Sequence, residues 1–147
     1  MTILRPAETA SSIFEIDFPR LYGMGKRALI FDLDNTLGKR GLAELKPEVS
    51  ALLTKVRDAG FKIGILTNRR RLNGNPMLAS LSASVPLLSR ARKPLRSGFN
   101  TLLEMLDSSP SEAVMIGDRL LTDVVGANRL GIYSIRILRA QSVCERR

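Results

Sequence analysis

The chain has 147 residues, of which 44% are hydrophobic and 25% charged, and its formal net charge is +9. This composition is typical of a globular protein, and the length predicts one domain, 1–147, with a sizeable core. There is no histidine and only one cysteine, Cys144, which excludes an internal disulfide, histidine metal sites and Ser-His or Cys-His relays. Any catalysis must therefore use carboxylates, lysine, hydroxyls or a hard metal ion.

Three features of the sequence bear on its location. No window approaches the roughly 18 to 20 consecutive apolar residues that cross a bilayer. The first eight residues include Glu8 and lack an apolar run, so we expect no signal peptide. The lone cysteine fits a reducing compartment. We therefore expect a cytoplasmic protein, and its charge leaves open a peripheral contact with the inner face of the membrane.

From the N-terminus, a segment of mixed character, 1–25, is expected to form an arm on a core that spans 26–140. Five runs rich in Ile, Leu, Val and Phe follow, without polar alternation, as expected of strands buried on both faces. These predicted strands are Ala28 to Phe31, Phe61 to Leu66, Val85 to Leu88, Ala113 to Ile116 and Ile132 to Leu138.

Helical patterns separate the predicted strands. Pro47 opens one helix and Gly60 closes it, since proline suits the first turn of a helix and glycine its end. The other predicted helices are Met77 to Leu81, Pro94 to Leu106 and Leu120 to Leu130. This alternation predicts a Rossmann-like three-layer α/β/α sandwich with a mainly parallel five-stranded sheet.

Two carboxylates follow the first predicted strand directly. Asp32 and Asp34 are two residues apart, so they can face the same side at the end of the strand. Two such charges repel each other unless a cation or a shared proton relieves them. The pair is a candidate Mg²⁺ site with a nucleophile and an acid/base in it, although acidic pairs also cap helices and form turns.

Polar residues follow the next three predicted strands as well. They are Thr67 and Asn68, then Lys93, then Asp118 and Asp123. Each has an ordinary explanation as a cap, a turn or a helix start. However, the carboxyl ends of parallel strands meet at one edge of a sheet, where ligands bind. Together these residues predict a phosphoryl-transfer site with metal ligands, phosphate-oxygen donors and a nucleophile.

The positive charge is concentrated in one segment. Between Asp58 and Glu104 there is no acidic residue. The cations in this interval include Lys62, Arg69, Arg70, Arg71, Arg90, Arg92, Lys93 and Arg96. Such a block predicts an anionic partner, which is phosphate, nucleic acid or a membrane surface, unless the cations serve only solubility.

The motifs taken together resemble a known family. Asp-x-Asp-Asn-Thr-Leu at 32–37, Thr-Asn at 67–68, Lys-Pro at 93–94 and Gly-Asp-x-x-x-x-Asp at 117–123 are similar to the four motifs of the haloacid dehalogenase (HAD) superfamily phosphatases. The resemblance implies that Asp32 attacks phosphorus to give an aspartyl-phosphate. Asp34 would protonate the leaving oxygen and then activate water.

The resemblance also implies a ligand set. Mg²⁺ would be held by Asp32, the backbone carbonyl of Asp34 and Asp118, with Asp123 in support, and phosphate oxygens would be bound by Thr67, Asn68 and Lys93. Only about ten residues separate Leu37 from Pro47, so no large cap domain is expected. An open site cannot enclose a small metabolite, which favours a large substrate that itself excludes water.

Among HAD phosphatases without a large cap, the chain is most similar to the YqeG-type phosphatases. The likeness is carried by Ser12 to Ile16, Ala91 to Pro94 and Gly117 to Asp123, whereas 69–75 has no assigned counterpart. Related mitochondrial and plastid members dephosphorylate phosphatidylglycerophosphate to phosphatidylglycerol. The resemblance therefore implies that substrate, and an anionic phospholipid at a membrane surface as the partner.

Other interpretations remain open. The same chemistry would also serve a phosphorylated nucleic-acid end or a phosphoprotein, although an aromatic content of 5% argues against base stacking. A receiver-like domain would not need Asp34, and a non-catalytic RNA-binding protein would not need the intact motif set. The sequence does not predict the oligomeric state.

The apolar residues of the arm allow two interpretations. They are Ile13, Phe14, Ile16, Phe18, Leu21 and Tyr22. They either enter a membrane interface as an amphipathic anchor or pack on the sheet, and we favour packing.

Overall fold

The computed structural model describes residues 3–38, 45–69 and 85–138. Its strands are β1 Glu8–Ala10, β2 Ala28–Phe31, β3 Lys62–Leu66, β4 Leu87–Leu88, β5 Ala113–Gly117 and β6 Tyr133–Ile137. They form one sheet in the order β1-β6-β5-β2-β3-β4, and every pairing is parallel. The parallel α/β architecture predicted from the sequence is confirmed.

The described sheet has six strands rather than the five predicted. The additional strand, β1, comes from the N-terminal arm and pairs with β6 through Glu8 opposite Ile135. A sequence of Glu-Thr-Ala carries no apolar run, so the hydrophobic pattern could not reveal it. Side chains reinforce the pairing, because the Tyr133 hydroxyl and the Arg20 guanidinium both donate to Glu8 Oε1, at 2.7 and 2.6 Å.

Three of the four α-helices in the described residues agree with predicted ones, with shifted bounds, whereas the helix in the N-terminal arm was not predicted. They are α1 Phe18–Gly23, α2 Pro47–Asp58, α3 Arg96–Met105 and α4 Val125–Leu130, and short 3₁₀ turns cover Ile13–Glu15 and Pro110–Glu112. The helix predicted from Leu120 begins instead with a π-helical turn, Leu120–Val124, before α4. The helix predicted at Met77 to Leu81 lies outside the described residues.

Side chains on the two faces of the sheet form two separate hydrophobic clusters. Leu29 and Phe31 of β2 face the cluster that contains the arm and α2, whereas Ala28 and Ile30 face α3 and α4. All four side chains are completely buried. Burial on both faces explains the continuous apolar run of this strand, and it fixes the carboxyl end of β2 at the centre of the molecule.

The N-terminal arm packs on the first of these clusters. Ile13, Ile16, Phe18 and Leu21 are buried in it, and only Phe14 and Tyr22 among the apolar residues singled out in the arm are exposed. This agrees with the packing interpretation for most of the arm. In the part of the chain that is described, no helix combines the length and the apolar character needed to cross a bilayer.

The connections at the carboxyl edge are short. Residues 32–46 join β2 to α2, and 67–86 join β3 to β4. Neither interval is long enough for a large additional domain, as predicted. Among the described residues, no large cap domain covers the carboxyl ends of the central strands.

Candidate active site

The three central strands bring acidic and hydroxyl side chains to one edge of the sheet. Asp32 follows β2, Thr67 follows β3 and Asp118 follows β5, and these strands are neighbours. The Asp32 amide donates to the Ile116 carbonyl at 2.9 Å, which holds the ends of β2 and β5 together. The convergence expected from strand-end positions is thus present in the geometry.

Lys93 lies at the centre of this group of side chains. Its Nζ donates to Asp32 Oδ1 at 2.8 Å, to Asp123 Oδ1 at 2.7 Å and to the Leu66 carbonyl at 3.0 Å. An ammonium has three N–H donors, and these contacts use all three. Lys93 is only 6% exposed, and a buried cation is tolerated because it is paired and hydrogen-bonded in this way.

The backbone of Lys93 is held by Asn68. The Lys93 amide donates to Asn68 Oδ1 at 2.7 Å, and Asn68 Nδ2 donates to the Lys93 carbonyl at 3.2 Å. The same loop has two non-glycine residues with left-handed backbone, Arg90 at φ 51° and Arg92 at φ 56°. Such conformations are uncommon for residues with a Cβ and gather at functional sites. The Asn68 side chain therefore fixes the loop that delivers Lys93.

Asp123 reaches the site because of the π-helical turn and a glycine. Its Oδ2 accepts from the Arg119 amide at 3.2 Å, while its Oδ1 accepts from Lys93. A Cβ on Gly117 would collide with the Asp123 carboxylate. The glycine of the Gly-Asp-x-x-x-x-Asp motif is thus required by the space that this carboxylate occupies.

Burial and close charges shift the acidity of two groups. Burial and the neighbouring Asp123 raise the pKa of Asp32 to about 6, against the opposing effect of Lys93. Burial lowers the pKa of Lys93, but the attraction of Asp123 and Asp32 outweighs it and leaves the pKa raised. Lys93 therefore stays charged near neutral pH. Its positive charge does not fully offset the effects of burial and of Asp123 on the Asp32 carboxylate.

The carboxylates at this edge fit a hard divalent cation. One oxygen from each of Asp32, Asp118 and Asp123 lies within 4.8 Å of the others. Carboxylate oxygens are the ligands that Mg²⁺ prefers. The ammonium of Lys93 contacts two of these three carboxylates, those of Asp32 and Asp123. Asp123 already accepts hydrogen bonds at both oxygens, which suits a supporting role better than direct ligation.

Asp34 has a partner that the sequence analysis missed. Arg69 Nε donates to Asp34 Oδ2 at 3.0 Å, and the two side chains form an ion pair in which Arg69 Nη2 lies 2.9 Å from Asp34 Oδ1. The sequence pattern indicates Arg69 only as part of the basic block. Its position one residue after Thr67-Asn68, at a strand end, is the signal that would have indicated a place in the site.

The remaining candidates are placed as follows. Thr67 is 2% exposed and its Oγ1 accepts from the Arg69 amide at 3.2 Å. The side chain of Asn68, expected to bind phosphate, instead contacts the Lys93 backbone. Thr36, which was not singled out, has a buried hydroxyl with no hydrogen-bond partner among the described residues. Arg70 and Arg71 lie outside the described residues.

Comparisons with known proteins agree on one family. A model described as haloacid dehalogenase-like hydrolase matches residues 39–131. The chain is 32% identical over 135 residues to the "Probable phosphatase YqeG" of Bacillus subtilis, which covers 90% of this chain and 76% of that protein. It is 28% identical over 139 residues to "Phosphatidylglycerophosphate phosphatase 1, chloroplastic" of Chlamydomonas reinhardtii, covering 90% of this chain and 52% of that protein.

The chain thus spans about half the length of the Chlamydomonas relative. Among solved structures, a HAD phosphatase from Thermococcus onnurineus has the same fold, with a TM-score of 0.66 and 21% identity. That match covers 78% of this chain and 87% of the other.

Proposed function

The chain belongs to the haloacid dehalogenase-like hydrolases and is a phosphatase, and from this premise we propose that it hydrolyses a phosphomonoester through an aspartyl-phosphate on Asp32. The observation that carries the proposal is the contact of Lys93 with both Asp32 and Asp123. Lys93 orients the Asp32 carboxylate and places a fixed positive charge where a phosphate oxygen would arrive.

In the first step, an Asp32 oxygen attacks phosphorus while the bond from phosphorus to the substrate oxygen breaks. Asp34, in its protonated form, donates its proton to that leaving oxygen and becomes a carboxylate. The products of this step are an alcohol and the acyl phosphate on Asp32. Thr67 and Lys93 are the proposed donors to the phosphate oxygens, and Lys93 would exchange one of its three present acceptors for a phosphate oxygen.

In the second step, the Asp34 carboxylate takes a proton from a water molecule, and the water oxygen attacks phosphorus. The bond between phosphorus and Asp32 breaks, which releases inorganic phosphate and restores both aspartates to their initial forms. The same residue thus acts first as an acid and then as a base.

Asp32, Asp118 and the backbone carbonyl of Asp34 are the proposed ligands of Mg²⁺, with Asp123 holding Lys93 in support. When bound, the ion would offset the negative charge on Asp32 and on the phosphate so that the two anions can approach. The carboxylate oxygens within 4.8 Å of one another support this assignment.

Arg69 has to release Asp34 before the first step. The Arg69 guanidinium occupies the Asp34 carboxylate in the described pair, whereas the acid role requires this group to face the leaving oxygen. A substrate phosphate brings a competing anion to the same place, and Arg69 is a suitable donor to it. Separation of the Arg69–Asp34 pair is therefore part of the proposed substrate binding.

Phosphatidylglycerophosphate is the proposed substrate, with phosphatidylglycerol as the product. The similarity to the Chlamydomonas phosphatase supports it, as does a site without a covering cap domain, because a large substrate in a membrane can itself exclude water. The basic residues beside the site suit a doubly charged headgroup in an anionic leaflet. Peripheral membrane contact in the cytoplasm follows from this substrate.

The test is a hydrolysis screen on the purified chain, with Mg²⁺ or with a chelator. The substrates are phosphatidylglycerophosphate in mixed micelles, p-nitrophenyl phosphate, a sugar phosphate, a phosphopeptide and a phosphorylated oligonucleotide. We expect Mg²⁺-dependent turnover that is fastest on the lipid. Faster turnover of another substrate would overturn the lipid assignment, and no release of phosphate from any of them would overturn the function.

Two variants test the nucleophile in the same screen. Asp32→Asn should lose all measurable turnover, because an amide oxygen is a far weaker nucleophile than a carboxylate. The matched control is Asp58→Asn, at the exposed end of α2, which should retain wild-type activity. Full activity of Asp32→Asn would reject the assignment of Asp32.

A further inference from the structure

Two loops at the carboxyl edge of the sheet share one pattern of side chains. The loop after β4 directs Lys93 inward, and the loop after β5 directs Asp118 and Asp123 inward. Beside these buried residues, each loop presents arginine and leucine side chains outward. The outward residues are Arg90, Arg92 and Leu95 in the first loop and Arg119 and Leu121 in the second.

The leucines of this pattern are unusually accessible for their type. Leu95 is 53% exposed and Leu121 is 67% exposed, although each is two residues from a site residue that is at most 6% exposed. A single exposed leucine needs no explanation. Two exposed leucines that flank the same site, each near an exposed arginine, indicate a surface that contacts an apolar partner.

Further apolar side chains lie on the same edge of the sheet. Phe14 follows the end of β1 and Leu138 follows the end of β6, and both are 49% exposed. The Leu138 amide donates to the Ala10 carbonyl at 2.8 Å, which places these two strand ends side by side. Exposed apolar groups therefore follow four of the six described strands at their carboxyl ends.

The exposed charged side chains of the two loops are all positive. Residues 85–95 contain no acid, and 118–124 contain only Asp118 and Asp123, which are 9% and 1% exposed. Arg92 and Arg119 are exposed. At the opposite edge of the sheet, exposed acids stand among the cations: Asp58, Glu104, Asp107 and Glu112. At the carboxyl edge, the exposed acids Glu15 and Glu48 lie outside these two loops.

From this arrangement we infer that the carboxyl edge docks on an anionic lipid leaflet, with Leu95 and Leu121 inserted and Arg92 and Arg119 against headgroup phosphates. The inference rests on the proposed lipid substrate and names the surface that would deliver it to Asp32. Apolar side chains that enter the interface and arginines that pair with anionic lipids together account for peripheral binding of this kind. The absence of aromatic residues from both loops disfavours single-stranded nucleic acid as the occupant.

The experiment measures binding of the whole chain to vesicles of phosphatidylcholine, alone or mixed with phosphatidylglycerol. We expect binding to the mixed vesicles that weakens as salt is added, and little binding to phosphatidylcholine alone. The double variant Leu95→Ser with Leu121→Ser should weaken binding to the mixed vesicles about tenfold or more. Hydrolysis of p-nitrophenyl phosphate by this variant should stay at the wild-type rate.

The matched control is the double variant Met24→Ser with Met105→Ser, at the opposite edge, where the two methionines are 45% and 50% exposed. It should bind the mixed vesicles as the wild type does. Wild-type binding by the leucine variant, an equal loss in the methionine variant, or failure of the wild-type chain to bind mixed vesicles would each overturn the docking surface. If any of these binding results occurred while the wild type still hydrolysed p-nitrophenyl phosphate, the docking surface would be wrong and the phosphatase function would be unaffected. If the wild type did not hydrolyse p-nitrophenyl phosphate, the phosphatase function itself would be wrong.

Discussion

Gly117 leaves the space that the Asp123 carboxylate occupies, because glycine has no Cβ. Asp123 lies so close to this residue that a Cβ would meet its carboxylate, and that carboxylate accepts from Lys93 at 2.7 Å. Gly117→Ala should therefore displace Asp123 and misplace Lys93, lowering kcat by about tenfold or more, since positioning of this kind is worth that much. Steady-state kinetics on p-nitrophenyl phosphate would measure the loss.

Gly23→Ala is the control for this change. Nothing lies within 4 Å of a Cβ built at Gly23, which sits at the end of α1. The control should keep full activity. If Gly117→Ala were as active as Gly23→Ala, the contact between residue 117 and the Asp123 carboxylate would have no catalytic importance.

The raised pKa of Asp32 has a consequence for stability. A carboxyl group with an ordinary pKa of 3.8 when unfolded and about 6 when folded keeps a proton in the folded state that the unfolded state has lost. Between these two values the folded state binds more protons, so its stability falls as the pH rises. Above about pH 6 the free energy of unfolding no longer falls because of this group, and the total loss is at most about 3 kcal/mol.

Asp32→Asn removes that titration. In the presence of a chelator, the stability of the variant relative to the wild type should increase from pH 4 to pH 6 and then level off. Urea unfolding at a series of pH values would measure it, with Gly23→Ala, which changes no titratable group, as the control that keeps the wild-type slope. A stability difference that does not change with pH would contradict the raised pKa.

Sequence patterns were most informative where chemistry and position coincide. Asp32, Lys93 and Asp123 were each predicted from strand ends, and they meet in space. Arg69 was not predicted as a partner of Asp34, because an ion pair between residues 35 positions apart leaves no local pattern. The hydrogen bond between the Asn68 side chain and the Lys93 backbone likewise could not be predicted from the spacing of these residues in the sequence.

At the scale of elements, the loop between β4 and α3 has to carry Lys93 back to the centre of the sheet. The Asn68 amide is its attachment to the end of β3, through two hydrogen bonds to the Lys93 backbone. Asn68→Ala should cost about 1 to 2 kcal/mol of stability and lower kcat about tenfold or more. Thermal unfolding and kinetics on p-nitrophenyl phosphate would measure both.

Asn100→Ala, on the exposed side of α3, is the control and should change neither quantity. If Asn68→Ala kept the wild-type kcat, Lys93 would be held in place without the amide, and Asn68 would be free for the phosphate-binding role first predicted for it.

The elements that the sequence predicted correctly are those with strong periodicity. The apolar stripe of α3, with Phe99, Leu102 and Leu103 buried, gave the helix within two residues at its start. By contrast, the π-helical turn at Leu120–Val124 could not be predicted, because a widened turn leaves the same apolar pattern as an α-helix. The strand β1 was missed because its pairing with β6 is set by tertiary contacts.

For the whole molecule, the arm is a structural part of the fold rather than an appendage. Leu21 is completely buried in the cluster beneath the sheet, and Phe18 packs edge-to-face on Phe61, with ring centroids 6.3 Å apart. Leu21→Ala should lower the free energy of unfolding by about 2 to 5 kcal/mol, because it leaves a cavity. Urea unfolding would measure this loss.

Met24→Ala, three residues away and 45% exposed, should stay within about 0.5 kcal/mol of the wild type. Equal stabilities of the two variants would mean that the arm does not contribute to the core in solution.

The most direct test of the mechanism is to trap the covalent enzyme. The chain is mixed with substrate and Mg²⁺, quenched in acid during turnover and reduced with borohydride, which converts an aspartyl-phosphate to homoserine. Peptide mass spectrometry should find homoserine at position 32, and none when substrate is omitted. Homoserine at any other aspartate, or none at all in an enzyme that is turning over, would contradict the role assigned to Asp32.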